Sequence, residues 1–304
     1  MASDYLRSRH DTTPVSRLTN RRLAWGVLLL CLALTVVVWR QALQETRQAE
    51  KDAFNIQAEQ VEASLRARLE GYQNVVRSAT ALVSLQEKDL SPERWASFVE
   101  RLVLPKTYPA IQGLGVLGPV THEGSTGLMF SPGAVLSNQS LGQSFFQQAS
   151  IQLTLEKAHQ QHQPAFSSKL TWARDKDAVQ TGFVVASPLN QVANDPRAVV
   201  ALVEINTLVD YLHKRYPHVQ VGIWVGENPQ TAERLYPRIL PTMSRQALHR
   251  NFTLNMPQQT WQVWVWSVDG SANGSERPFL VAMVGSLLSV LAFGLVWHLA
   301  TTRE

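Results

Sequence analysis

In this 304-residue chain the side chains able to do chemistry stand in isolated pairs. His159 and His162 are separated by two residues, which is not the i, i+4 spacing of a helical zinc motif, and they read as solvated helix histidines. Asp175 and Asp177 alternate with Arg174 and Lys176. Paired carboxylates can share acid–base work, but interleaved opposite charges describe a solvated hairpin tip. His122-Glu123 lies in a Gly/Ser-rich stretch without a nucleophile. Gly113, Gly115 and Gly118 lack the spacing of a phosphate-binding turn, and the chain has no G-x-S-x-G elbow or P-loop. Trp261, Trp264 and Trp266 include an i, i+2 pair suited to one strand face, as core or interface packing in preference to a carbohydrate platform. No catalytic residue, metal ligand or cofactor is assigned, and the chain is expected not to be an enzyme.

The elements that must position these residues begin with two apolar runs. Leu23 to Trp39 (LAWGVLLLCLALTVVVW) carries no charge, and Pro278 to Thr302 holds no Asp, Glu, Lys or Arg. At ~1.5 Å rise per residue the first covers about 25 Å, close to the ~30 Å hydrocarbon core, and the second is longer. Trp25 and Trp39 fall where indoles favour the membrane interface. The expectation is two transmembrane helices, at 23–39 and 278–300. In the second, Ala282, Gly285, Ser289 and Ala292 recur at three and four residues, a small-residue seam that allows close helix approach and leaves a dimer contact open.

Charge sets the orientation. Residues 1–22 carry five arginines against Asp4 and Asp11, whereas residues 40–277 carry 22 basic and 21 acidic side chains. The local arginine excess predicts a cytoplasmic N-terminal tail, and two spans return the C-terminal tail, 301–304, to the same side. The predicted protein is a two-pass inner-membrane protein with residues 40–277 in the periplasm. Arg40 interrupts any small-residue cleavage pattern, so the first span reads as an uncleaved anchor. The pI near 9.3 follows from juxtamembrane arginines facing anionic lipid, and no nucleic-acid partner is inferred. The sole cysteine, Cys31, lies inside the first span, so the exported region has neither a disulfide nor thiol chemistry.

Within the exported region, residues 41–86 contain no proline and only Gly71. Phe54, Val61, Leu65, Leu69, Tyr72, Val76, Ala79, Leu82 and Val83 recur at threes and fours. This predicts an amphipathic stalk helix continuous with the first span, the alternative being two helices that break near Gly71. Ser91-Pro92-Glu93 opens a second helix, with Ser91 as N-cap, that ends by Pro105. Beyond it the period turns strand-like at 111–120, 182–189, 198–205, 219–225, 252–256 and 260–268, with helices over 144–160 and 207–216. Asn190 to Pro196 (NQVANDP) reads as a linker between two small sheets. The fold class expected is α+β.

Tyr108-Pro109-Ala110-Ile111-Gln112-Gly113-Leu114-Gly115 resembles the Tyr-Pro-Gly-Ile-Gln-Gly-Ile-Gly segment of the CHASE domain, the extracellular sensor of cytokinin receptors and many bacterial membrane receptors. Gly182 to Leu189 (GFVVASPL) is similar to a second strand of that family. The resemblance spans roughly residues 50–270. It implies a stalk helix (41–86) carrying two PAS-like antiparallel-sheet subdomains, a distal one at about 90–190 and a proximal one at about 197–270. It also implies a distal pocket walled by Phe166, Ser167, Ser168, Trp172, Phe183, Val185 and Ala186. Ser150 or Ile151 stands where cytokinin receptors bear an acidic residue, and Ala186 stands for their pocket threonine. The implied pocket is therefore apolar and unsuited to adenine-type recognition.

The functional expectation is a sensor that binds an unknown small-molecule ligand and passes a conformational signal to a cytoplasmic or membrane signalling partner, acting as a homodimer. Only Thr301 to Glu304 follow the second span, too few for a kinase or cyclase, so the expectation is either an output domain outside this chain or a signal passed through a partner in the bilayer. The alternative from a different class is a membrane-anchored adaptor that docks a periplasmic protein. An enclosed cavity lined by Trp172 and Phe183 would favour the sensor, and an exposed apolar patch the adaptor.

Overall fold

The structure is a computed structural model describing residues 15–85, 92–102, 104–117, 148–175, 178–189, 197–227, 231–237, 247–268 and 276–302. Its first element, α1 (Val15–Leu85), is one unbroken helix of 71 residues, so no break occurs at Gly71. The chain divides into two compact units, one of residues 1–53 with 270–304 and one of residues 54–269.

In the larger unit, α1 is followed by α2 (Pro92–Arg101), the single turn α3 (Leu104–Thr107) and β1 (Ile111–Leu117). The predicted cap Ser91 lies outside the described residues. Then come α4 (Ala149–Gln161), β2 (Ala165–Phe166), β3 (Leu170–Asp175), β4 (Ala178–Pro188), β5 (Ala198–Glu204), α5 (Ile205–Arg215), β6 (Val219–Val225), β7 (Glu233–Tyr236), β8 (His249–Met256) and β9 (Gln259–Ser267). Among the described residues every strand pair is antiparallel. The first sheet runs β1-β5-β4-β2, with β3 continuing beside β4, and the second runs β7-β6-β9-β8.

The sheet boundary moves from the one drawn at 190–196. That stretch lies outside the described residues, but β5, which follows it, pairs on one side with β4 and on the other with β1. The first sheet therefore extends to Glu204. The run AVVALVE explains why: all seven residues are buried, because both faces of β5 are covered. Val199, Ala201 and Val203 face one apolar cluster, and Val200 and Leu202 another. A strand buried on both faces loses the alternation that would tie it to one sheet.

The larger cluster unites α1 with both sheets. Phe54, Ala58, Val61, Leu65, Leu69, Tyr72, Val76, Ala79 and Val83 form one helix stripe, spaced as the stalk periodicity predicts. They pack with Phe166, Phe183 and Val185 of the first sheet and with Val221, Ile223, Trp261, Val263 and Val265 of the second. Phe183 and Trp261 meet edge to face at 4.9 Å and 82°, a geometry worth ~0.5–1.5 kcal/mol beyond burial.

The smaller unit pairs the N-terminal part of α1 with α6 (Glu276–Thr302). Both helices are long and apolar enough to cross a membrane, and Leu29, Leu30, Val37, Leu287 and Leu291 lie exposed on them. Part of the small-residue seam faces the chain's own first span. A Cβ at Gly285 would collide with the Thr35 side chain, and Ser289 Oγ lies 3.5 Å from Thr35 Oγ1. Both hydroxyls also donate to carbonyls one turn back, so neither is left unsatisfied. Trp25 and Phe293 add a ring contact at 5.5 Å.

Candidate ligand-binding site

The seven residues assigned to the pocket divide between the two faces of the first sheet. Successive side chains of a strand alternate faces, so Phe183 and Val185 turn toward α1 while Val184 and Ala186 turn away. Phe166 joins the α1 side, 5.9 Å from Phe183 and 6.4 Å from Trp261. Trp172 joins the opposite side with Leu170, Ala186, Leu202 and Ile151. One enclosed cavity lined by both Trp172 and Phe183 is therefore not what the sheet builds. Ser167 is fully buried and already engaged. Its N–H donates to Val184 O (2.9 Å), its Oγ donates to Ser168 O (2.8 Å), and the same Oγ accepts from Val184 N (2.8 Å). Ser168 contributes only its carbonyl to that staple, so the two serines hold β2 to β4.

The side facing away from α1 carries the more suggestive chemistry. Trp172 and Gln180 are direct cross-strand partners, and the indole Nε1–H donates to Gln180 Oε1 at 2.8 Å. An indole can only donate, so the amide orientation follows: the NH2 group points away from the tryptophan. Gln180 is 6% exposed, and its NH2 has no partner among the described residues. That edge of the amide, turned away from the indole, is the one able to donate to an arriving acceptor. Gly182 completes the arrangement. A Cβ there would strike Val203 O and come within 2.7 Å of the Trp172 ring, so only glycine lets the indole lie down on the strand.

Around this pair the described surface is apolar. Leu170, Val184 and Ala186 come from the sheet and Ile151 from α4, whose Thr154 hydroxyl is engaged with Ser150 O at 2.6 Å. Of the two residues aligned with an acidic receptor position, Ile151 is the one buried here. The arrangement suits a small molecule whose body lies against an indole while one acceptor meets the Gln180 amide. Gln180 was missed from sequence. Its only signal was a polar residue at the same strand parity as Val184 and Ala186.

His159 is not simply solvated. Its Nδ1 lies 2.8 Å from Leu155 O and its Nε2 3.2 Å from Arg197 O, so the ring ties α4 to the start of β5. Among the described residues no group of His, Cys, Asp or Glu could hold a metal ion. His122-Glu123 lies outside them, as does part of the 174–177 turn. Trp261 is fully buried in the core, as its packing role predicts.

The family-like segment at 108–115 is anchored on α1. The Tyr108 ring sits over Gly71 and meets Tyr72 edge-on at 5.8 Å. Arg68 donates to Thr107 O at 2.5 Å and stacks 3.9 Å from the Tyr211 ring. That guanidinium lowers the Tyr211 pKa, chiefly through a hydrogen bond. Burial pushes Tyr72 well above the usual phenol value, against the opposing charge of Arg68. Gln112 and Thr207 both donate to buried Glu204, at 3.0 and 2.7 Å, which satisfies a carboxylate otherwise costly to bury.

No family model matches this chain. A search of curated proteins also finds no match. Among solved structures, the ligand-binding domain of the Pseudomonas aeruginosa PAO1 amino-acid chemoreceptor PctB, in complex with L-Arg, aligns at 12% identity and a TM-score of 0.49, over 74% of this chain and 97% of that one. The ligand-binding domain of the Pseudomonas fluorescens chemoreceptor CtaA, in complex with L-alanine, aligns at 12% identity and 0.49, over 73% and 99%. An extracellular ligand-binding receptor from Desulfohalobium retbaense DSM5692 aligns at 14% and 0.48, over 71% and 40%.

Proposed function

We propose that this protein is a membrane-anchored sensor that binds a small molecule on the face of the first sheet turned away from α1, and that it is not an enzyme. The observation that carries the reading is the Trp172–Gln180 pair, in which the indole holds the amide carbonyl and so turns the amide donor away from itself, in apolar surroundings. The two membrane-length apolar helices support the anchoring, and the resemblance of residues 108–115 to a CHASE segment supports the sensor class. The ligand is an uncharged or acceptor-bearing molecule small enough to lie against one indole. Its signal travels through the β4–β5 layer to Phe183 and Val185, which pack on α1, the helix that also forms the first span. A ligand can shift such an equilibrium only by as much as it prefers one state. The acting unit is a homodimer with both termini cytoplasmic, coupled to a signalling partner.

The test is a thermal-shift screen of the full chain in nanodiscs against a panel of small metabolites. A hit that raises Tm in the wild type but not in Gln180→Leu supports the reading, since binding to the native state alone stabilises it. If no compound raises Tm while a periplasmic protein co-purifies stoichiometrically, the adaptor reading replaces it.

A further inference from the structure

The second sheet repeats the arrangement of the first. Trp266 and Gln220 are direct cross-strand partners on β9 and β6, and the Trp266 Nε1–H donates to Gln220 Oε1 at 2.8 Å. Gly222 follows Gln220 by two residues, as Gly182 follows Gln180. A Cβ at 222 would lie 3.0 Å from the Trp266 ring and 2.6 Å from that of Trp224. Two indoles therefore lie down over one glycine, on the face opposite the core residues Val221, Ile223, Val263 and Val265. Trp264 stands beside them, 6.3 Å from Trp224 and tilted by 67°. Unlike Trp172, both Trp224 and Trp264 are partly exposed, and the neighbouring β8 residues Asn251 and Thr253 are exposed.

The polar groups on this face are placed around the rings. As at Gln180, the Gln220 NH2 group has no partner among the described residues, its carbonyl being held by Trp266. Arg234 stands directly opposite Trp224 on β7. Its Nε is buried, and no acidic side chain among the described residues pairs with it. A guanidinium beside partly exposed indoles, with no paired carboxylate among the described residues, is a ready partner for a planar anion.

We propose that this face of the second sheet is a second, separate binding surface, for a saccharide bearing a carboxylate. The negative faces of Trp224 and Trp264 receive the polarised C–H bonds of a sugar ring. The Gln220 amide and the β8 amide and hydroxyl groups meet its hydroxyls. Arg234 binds the carboxylate. Charge complementarity selects the acid over a neutral sugar, because the charged group directly opposite Trp224 is the Arg234 guanidinium. The surface does not depend on the ligand assignment at Trp172, since the two sites share no residue.

The test uses the full chain in nanodiscs, titrated with a linear trimer of galacturonic acid and, separately, with maltotriose as a neutral counterpart. Binding is read by saturation-transfer NMR on the sugar. The acidic trimer should bind saturably, about ten-fold more tightly than maltotriose. Trp264→Ala should abolish its binding, Arg234→Gln should weaken it about ten-fold, the size expected for one lost charge-assisted contact, and Trp172→Phe should leave it unchanged. If Trp264→Ala does not fold, Arg234→Gln decides alone. The proposal is overturned if the acidic trimer shows no saturable binding, if the two sugars bind equally, or if Arg234→Gln binds like the wild type.

Discussion

The Tyr108 ring lies on Gly71: a Cβ at position 71 would come within 2.7 Å of Tyr108 Cε1. This joins the stalk helix to the segment that leads into β1, at the one point of residues 41–86 where no side chain stands in the way. In an ordinary helix interior Gly→Ala stabilises by ~1 kcal/mol. At position 71 overpacking against the tyrosine, of order 1–3 kcal/mol, opposes that gain. Gly71→Ala is expected to destabilise the protein by about 1 kcal/mol, and in a Tyr108→Ala background the same change should become stabilising. Denaturation of the four proteins of this cycle measures the sign directly. A stabilising Gly71→Ala with Tyr108 in place would refute the contact.

Tyr72 makes stability sensitive to alkali. Burial holds its folded pKa above the unfolded value of 10.0, with Arg68 acting in the opposite direction. Its contribution is therefore complete below pH 10 and is lost as pH rises beyond it, because the unfolded chain then releases the proton first. Unfolding free energy measured from pH 9 to 11 should fall, by at most about 1.4 kcal/mol per pH unit from this group. Tyr72→Phe should flatten the curve. Tyr211 is shifted the other way, so Tyr211→Phe should not flatten it.

Thr35 and Ser289 place the seam of the second span against the first. With Cys31 replaced by serine, Thr35→Cys/Ser289→Cys should form a disulfide within one chain under mild oxidation, read as a fast-migrating monomer on a non-reducing gel. Cross-linked dimers without that monomer band would instead put the seam between two copies.

Much of the architecture was legible in the sequence, for physical reasons that also mark where it stopped. The stalk periodicity from Phe54 to Val83 survived because α1 buries a single stripe, and only that geometry keeps threes and fours in register over so many turns. The strand positions of β6 and β9 were visible because the second sheet buries one face, leaving alternation intact. β5 was assigned beyond a linker because burial on both faces erased its alternation. The pocket list mixed two faces for a related reason: a contiguous run such as Phe183 to Ala186 necessarily points both ways, and face depends on pairing register. Gln180 escaped notice because its role depends on Trp172, eight residues away and brought opposite only by the hairpin. The matching pairs Gln180/Trp172 and Gln220/Trp266 were equally hidden, since tryptophan follows glutamine in the second and precedes it in the first.

The central claim is that ligand binds at Trp172 and Gln180, on the side of the first sheet away from α1. It is tested most directly by fluorine NMR of the 5-fluorotryptophan-labelled full chain, with Trp172→Phe and Trp261→Phe used to assign two resonances. A compound that raises Tm should shift the Trp172 resonance and leave Trp261 in the α1 core within a smaller change, and Gln180→Leu should remove the shift. A stabilising compound that moves Trp261 while Trp172 stays in place would contradict the assignment and put the ligand on the other face of the sheet.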